Sequence, residues 1–434
     1  MRPASMDPRH LAASVVERVI EQQAFAAAAL DATLRRYPQL EERQRALTTE
    51  LVYTTLRAQR VLEARLTALA PRGLPRDSAL RAHLYVAAAQ LLLFDRVPRP
   101  MAVDRAVSGI DAIRGPRVAG FANALLRKLA ADTARLDRTA VYGATCPEWL
   151  RERLLAAVGP EEVDALLGHA RDSESSEPRP VTLRLSATRA VPAFIADAPR
   201  GRFSPLARVV RGAGDLRRLD SWKDGSFTIQ EEGAQLSALG LGARSGERVL
   251  DACAGRGQKT TLLAEQVSPE GVVHATDIHP RKLEALELEL VRLGLSGVET
   301  ALVDWSRGGG GLPQGFDRAL VDAPCSGTGT LARRPDIALR LDPGDPERLG
   351  RLAASILRNV TNHVRSGGRV VYVVCSVLKE EAETVASSVE DVLEPVPFEV
   401  PEVVAALGPG VAAGRLLPVA HGTDGYFLAS FRRR

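Results

Sequence analysis

Cysteine is scarce in this chain: 434 residues hold four, Cys146, Cys253, Cys325 and Cys375. Thiols so few and so scattered do not form a disulfide framework, and a reducing cytoplasm is the expected compartment. No apolar run approaches the roughly 18 residues that a membrane span needs, which argues against membrane function. The opening MRPASMDPRH lacks the apolar core of a secretory signal. Lysine is rare too, with five residues (Lys128, Lys223, Lys259, Lys282, Lys379) against 52 arginines. Alongside 27 prolines and few asparagines, that skew reads as the compositional bias of a genome. Single arginines are therefore weak pointers to phosphate, whereas the few lysines carry more information.

What remains is the composition of a soluble globular protein, 45% hydrophobic and 25% charged. The chain is long enough for two or three domains. Its net charge of +4 is unevenly spread: residues 1–150 carry 22 Arg and Lys against 15 Asp and Glu, the remainder 35 against 38. A basic N-terminal third suits an anionic partner gripped at one end. A basic helical domain with a merely solvated surface is the alternative.

Residues 9–132 show apolar positions three and four apart, as in HLAASVVERVIEQQAFAAAALDATLRR and ELVYTTLRAQRVLEARLTALA, with breaks at Pro71, Pro75, Pro98, Pro100 and Pro116. This predicts an all-helical domain of roughly five to seven helices. Residues 146–170 continue the helical pattern as a connector, and the polar RDSESSEPRP at 171–180 reads as a linker. Short strands, Pro and Gly over 181–230 suggest a small α+β subdomain. From Gln230 strands and helices alternate. RVLDACA, GVVHATD, VETALVD, DRALVDAP, RVVYVVCSV and YFLASFR read as strands; QKTTLLAEQV, HPRKLEALELELVRLG, PERLGRLAASILRNVTNHVR and KEEAETVASSVEDVL read as helices. Such alternation predicts an α/β, doubly wound parallel sheet of the Rossmann-like kind. The expected domains are 1–145, 146–230 and 231–434.

In such a sheet, ligands bind at the C-terminal ends of the strands. DACAGRGQKT is a strand, a glycine-containing turn and a helix start, with small residues that let a ligand approach the backbone. Asp277 ends the next strand, about where a nucleotide-binding fold holds ribose hydroxyls. The loop matches neither G-x-G-x-x-G nor G-x-x-x-x-G-K-[ST] and has no run of amides dedicated to a pyrophosphate. An adenosine-containing ligand without phosphates fits better, and S-adenosylmethionine is the obvious one. The expected cofactor site is the loop residues Cys253, Ala254, Gly255, Arg256, Gly257, Gln258 and Lys259, together with Asp277, Asp304 and Asp322. Asp304 would accept a hydrogen bond from the adenine amino group, or be a solvated strand-end carboxylate. DAPCSGTG fixes the backbone at Pro324 directly before a thiol and permits a tight loop at Gly327 and Gly329. Asp322 would face a flat base. Cys325 and Cys375 each follow a strand-like run, and two thiols at one sheet edge suggest covalent chemistry on a ring carbon.

DAPCSGTGTLARRPDI, VVYVVCSVLKEEAE and DACAGRGQKT resemble the motifs of the RNA cytosine-5 methyltransferase family. The layout is similar to its bacterial 16S ribosomal RNA members (the Sun/Fmu type), which carry a helical NusB-like RNA-binding domain in front. GFANALLRKL, IQEEGAQL and HGTDGYFLASFRR extend the resemblance over nearly the full length. The resemblance implies that Cys375 adds to C6 of a cytosine, that Cys325 assists product release, and that Asp322 stabilises the activated base. An unstacked target in 16S RNA, naked or in an assembly intermediate, is the implied substrate. A monomer is the default, and neither DNA nor a membrane is an expected partner. A DNA enzyme would use the Pro-Cys thiol and would not need Cys375. The alternatives are a transfer-RNA enzyme with the same core and a catalytically weak RNA-binding or ribosome-assembly protein. The sequence departs from the family's Cys-Ala-Ala-Pro-Gly-Gly-Lys at Gly255, Arg256 and Gln258. It also has Val374 where Thr usually precedes the nucleophile, and Ser186 and Ala382 where Asn is common.

Overall fold

The computed structural model describes residues 7–95, 97–131, 136–168 and 180–434. The linker expected at 171–180 lies, apart from Pro180, outside them. Contacts divide the chain into two compact units. The first takes in the described residues of Met1–Glu152, Leu167–Ser175 and Leu331–Leu341. The second takes in those of Arg153–Leu166, Ser176–Thr330 and Asp342–Arg434.

The first unit is helical: α1 (Pro8–Glu21), α2 (Ala26–Arg36), α3 (Glu42–Leu69), α4 (Ser78–Leu93), α5 (Arg99–Arg114), α6 (Pro116–Ala131) and α7 (Arg138–Thr145). Its pivot is α4, apolar on nearly every side and packed against α1, α3, α5 and α6. Asp77 starts α4 by accepting a hydrogen bond from the Leu80 amide at 2.9 Å. On α6, Ala119, Ala122, Leu125, Leu126 and Leu129 form the buried stripe, while Arg117, Arg127 and Lys128 stay exposed. The segment Leu331–Leu341 joins this unit through Arg57, which donates to the Ala332 carbonyl at 2.7 Å. No helix among the described residues is long and apolar enough to cross a membrane.

The second unit begins with α8 (Glu148–Val158, its last six residues in this unit) and α9 (Pro160–Leu166). A small antiparallel sheet follows, in the order β2 (Ala207–Val210), β1 (Val181–Leu185), β3 (Phe227–Ile229). The main sheet contains β4 (Arg248–Asp251), β5 (Val272–Asp277), β6 (Val298–Leu302), β7 (Phe316–Asp322), β8 (Val364–Val374), β9 (Leu393–Pro395), β10 (Ala413–Leu416) and β11 (Tyr426–Arg433). Its order is β10-β11-β8-β7-β4-β5-β6, with β9 beside β11. Strands β6, β5, β4, β7 and β8 run parallel, as the alternation predicts. The final pairs, β11 with β8, β9 and β10, are antiparallel. Successive residues of the central strands feed opposite cores. Leu250, Ala319, Val321, Tyr372 and Val374 pack with Ile356, Leu357 and Val360 of the helix Asp345–Thr361. Val249, Leu320, Val371 and Val373 pack with the helices Glu232–Leu239 and Gln258–Val267. Burial on both faces explains why these strands read as unbroken apolar runs.

One expected helix is largely missing. KEEAETVASSVEDVL forms helix only over Glu383–Ser387. The Glu381 side chain is turned inward to Ser326 and Ser376, and its carbonyl accepts the Tyr372 hydroxyl at 2.6 Å. Ala382 leaves the helical region (φ −105°, ψ −102°). Tertiary hydrogen bonds have overridden a helical pattern.

Candidate active site

Strand β4 is flanked by β5 on one side and β7 on the other, so the sheet reverses its order there. Loops leaving β4 and β7 must diverge at such a point and open a crevice. The loop after β4 carries Gly255 (φ +59°) and Gly257 (φ +84°), both in backbone conformations that favour glycine. A side chain at Gly257 would also meet Leu286. Asp277, buried at the end of β5, holds this loop: one oxygen accepts from the Gly255 amide at 3.0 Å and the other from the His279 amide at 2.8 Å. Lys282 approaches the first oxygen at 3.3 Å.

The unusual loop residues have clear placements. Arg256 is exposed. Gln258 donates its side-chain amide to the Ile229 carbonyl of β3 at 2.9 Å, which ties the loop to the small sheet. Arg184, fully buried on β1, braces the same helix start through Thr261 Oγ1 at 2.9 Å and the Gln258 carbonyl at 3.4 Å. Asp304 caps the turn Trp305–Arg307, accepting from the Ser306 amide at 3.0 Å and hydroxyl at 2.5 Å, while Arg307 pairs with its other oxygen at 3.3 Å.

Lys259 and Asp322 meet at 2.6 Å, joining the loops after β4 and β7. Burial works against the Lys259 charge, but the Asp322 carboxylate, with Cys375 and Asp251 behind it, raises the ammonium above its ordinary range. The Lys259 nitrogen also lies 5.9 Å from the centroid of the Tyr426 ring. Such a pair can present a cation and a carboxylate to the polar edge of a base.

Cys325 and Cys375 come together, their sulfurs 3.4 Å apart. The register explains this: β7 and β8 are parallel neighbours with Asp322 opposite Val373, so the chain leaves both strands at one edge. Both residues are half-buried. The hydrogen bond to Cys375, then burial, pushes the Cys325 thiol well above its ordinary value. Cys253 is raised by burial and by the nearby carboxylates of Asp322, Asp251 and Asp277. Cys146, buried elsewhere and raised to about 11, is held as an unreactive thiol.

The loops around the thiols lock at Gly329, whose amide donates to the Cys375 carbonyl at 3.0 Å and whose carbonyl accepts from Gly425 at 2.8 Å. A side chain on Gly329 would come within 2.0 Å of the Gly425 oxygen. The C-terminal HGTDGYF thus closes the site, with Asp424 held through its amide by Glu231 at 3.0 Å. Glu232 is structural as well, accepting the amides of Arg202, Phe203 and Ser204. Charge and thiol chemistry did not point to Glu381, Tyr426 or Gly425 as parts of the site. The available signal was their position in segments that resemble family motifs. Among the described residues no group of three or more His, Cys, Asp or Glu is placed to hold a metal ion.

Asp251, fully buried at the end of β4, supplies a stability prediction. Burial raises its carboxyl to about 7, against the opposing hydrogen bond from Thr260. An unfolded Asp ionises near pH 4. Between about pH 4 and 7 the folded chain therefore holds a proton that the unfolded chain has lost, and stability falls as pH rises through that window. Asp251→Asn keeps an acceptor for Thr260 and cannot ionise. The variant should match the parent near pH 4 and gain on it up to pH 7, by on the order of 2–4 kcal/mol. Urea unfolding across that range checks this, and a pH-independent difference would refute it.

Comparison with known proteins adds two family matches: the 16S rRNA methyltransferase RsmB/F family over residues 238–432, and the NusB family over residues 6–131. The chain is 32% identical to ribosomal RNA small subunit methyltransferase B of Escherichia coli O6:K15:H31 (strain 536 / UPEC) over 393 residues, covering 86% of this chain and 87% of that protein. It is 29% identical to a probable ribosomal RNA small subunit methyltransferase B of Bacillus subtilis (strain 168) over 452 residues, covering 98% of each. Its fold is shared with the crystal structure of PH0851 (TM-score 0.83, 22% identity, 99% of both chains). NSun6 from Pyrococcus horikoshii gives a TM-score of 0.56 at 19% identity, over 66% of this chain and 98% of that one.

Proposed function

Because the chain belongs to the 16S rRNA methyltransferase RsmB/F family, we propose that it methylates C5 of a cytosine in 16S ribosomal RNA through a covalent adduct at Cys375. S-adenosylmethionine is the cofactor and supplies an electrophilic methyl on a sulfonium. The residues present suit it: a glycine loop at the C-terminal end of β4, without a pyrophosphate cradle, with Asp277 at the end of β5 for the ribose. Cys253 to Lys259, Asp277, Asp304 and Asp322 are its proposed neighbours.

The observation that carries the mechanism is the 3.4 Å thiol pair beside the Lys259–Asp322 pair. C5 of cytosine is a poor nucleophile. Addition of the Cys375 thiolate to C6 forms an S–C6 bond and moves the ring electrons to C5, which would take the methyl as the S–CH3 bond breaks and its electrons stay on sulfur in a neutral thioether. Asp322 and Lys259 stabilise the charge that develops on the ring. Loss of the C5 proton to a base re-forms the C5–C6 double bond and expels the Cys375 thiolate. The Cys325 thiol, already hydrogen-bonded to that sulfur, stabilises it as it leaves.

The NusB-like unit would hold RNA through exposed basic residues such as Arg117, Arg127 and Lys128. Incubation with labelled S-adenosylmethionine and, in parallel, naked 16S RNA, assembled 30S particles and transfer RNA tests the substrate. The expected product is 5-methylcytosine at one position of unassembled 16S RNA, mapped by bisulfite sequencing. Preferential labelling of transfer RNA would overturn the assignment.

A further inference from the structure

Each of the two thiols is followed directly by a serine: Cys325 by Ser326 and Cys375 by Ser376. Both serines are buried, and both point at one carboxylate, that of Glu381, which has no exposed surface. One Glu381 oxygen accepts the Ser326 amide at 2.6 Å. The other accepts the Ser326 hydroxyl at 2.5 Å and the Ser376 hydroxyl at 2.6 Å. The network continues outward. Ser376 Oγ lies 2.9 Å from Thr328 Oγ1, and accepts from the Leu378 amide at 3.2 Å. Thr328 Oγ1 accepts from the Val377 amide at 3.3 Å.

A buried carboxylate with no cation in its hydrogen-bonding shell among the described residues is costly to desolvate, and burial raises Glu381 above the usual carboxylate range despite its three donors. An uncharged cluster would avoid that desolvation cost, so the carboxylate needs another reason. The carboxylate bonds directly to the residue following each sulfur. The serine hydroxyls also approach each other at 3.2 Å and Thr328 Oγ1 at 3.5 and 2.9 Å, so Glu381 is the charged centre of a shared network. It joins two loops that the chain separates by fifty residues.

Resting on the covalent reading above, we propose that Glu381 is a positioning residue that fixes the spacing of Cys325 and Cys375 and thereby governs release of the methylated base. It touches neither substrate nor sulfur and acts through the Ser326 amide and the hydroxyls of Ser326 and Ser376. Glu381→Ala removes the bridge. Glu381→Gln retains it, because its oxygen can take the Ser326 amide while its NH2 donates to serine hydroxyls turned to accept.

The test reads the spacing directly. Diamide, a diazene, takes up two hydrogens to become a hydrazine as two neighbouring thiols form a disulfide, and peptide mass spectrometry identifies the Cys325–Cys375 bridge. Glu381→Ala should form it at least about tenfold more slowly than the parent, and Glu381→Gln at close to the parent rate. In parallel, Glu381→Ala should accumulate covalent protein–RNA adduct, with S-adenosylmethionine affinity unchanged. Bridging at the parent rate in Glu381→Ala overturns the proposal. So does slow bridging accompanied by weakened cofactor binding, which marks general damage to the fold. Cys325→Ala runs as the reference: if it yields no adduct while bridging responds to Glu381 as expected, the covalent reading has failed and the positioning role stands.

Discussion

Cys375→Ala should abolish methyl transfer, with turnover falling by at least about 10⁴-fold, the scale of losing a covalent nucleophile. The neighbouring thiol does not replace it. Burial still holds the Cys325 thiol up once its partner is gone, so little thiolate is available for attack. Nor does the substitution undo the fold. Cys375 follows the last residue of β8, whose packing rests on Val370 to Val374, and removing one half-buried sulfur leaves those contacts intact. Affinity for S-adenosylmethionine, measured calorimetrically, should be unchanged, because the proposed cofactor loop follows β4 and is tied down by Asp277. Retained turnover alongside retained binding would remove Cys375 from the nucleophile's role. Loss of both would indicate that the loops, and not the sulfur alone, had been disturbed.

The thiol pair was legible in the sequence because two constraints coincide. A run buried on both faces of a parallel sheet has no polar alternation, so RVVYVV and DRALV announce themselves as strands, and a thiol after each must lie near the sheet edge. Their 3.4 Å approach depends further on β7 and β8 being neighbours, which no local pattern states. The helices of the first unit were equally readable, since α6 repeats its apolar residues every three or four positions. Strand β10, AGRL, has no alternation and exists because β11 offers it an edge. The helix expected around Glu381 fails for the converse reason: its local pattern is sound, but distant serines and Tyr372 claim its polar groups. Gln258 and Arg256, which depart from the family pattern, could not be oriented from sequence. One is tied to β3 and the other is exposed, so the departures leave the Lys259–Asp322 contact undisturbed.

Cys325→Ala should fail at the opposite end of the reaction. Attack and methyl transfer do not require the second thiol in the proposed sequence, but the elimination that removes the C5 proton and expels Cys375 does. In the parent, the departing sulfur faces the Cys325 thiol at 3.4 Å, and in the proposed sequence it leaves as an anion hydrogen-bonded to that thiol. In Cys325→Ala it must leave toward a methyl group in a half-buried site, where the departing anion has one hydrogen-bond donor fewer. Turnover should fall by about 10²-fold or more, the usual contribution of a positioned proton donor. Enzyme should then collect as a protein–RNA adduct that survives a denaturing gel. The double variant Cys325→Ala/Cys375→Ala should show no adduct, since the bond that persists in the single variant is the one Cys375 makes. An adduct in the double variant would mean that a different residue attacks. If Cys325→Ala turns over at the parent rate with no retained band, the neighbouring thiol has no part in release, and the 3.4 Å approach of the two sulfurs is only a packing contact.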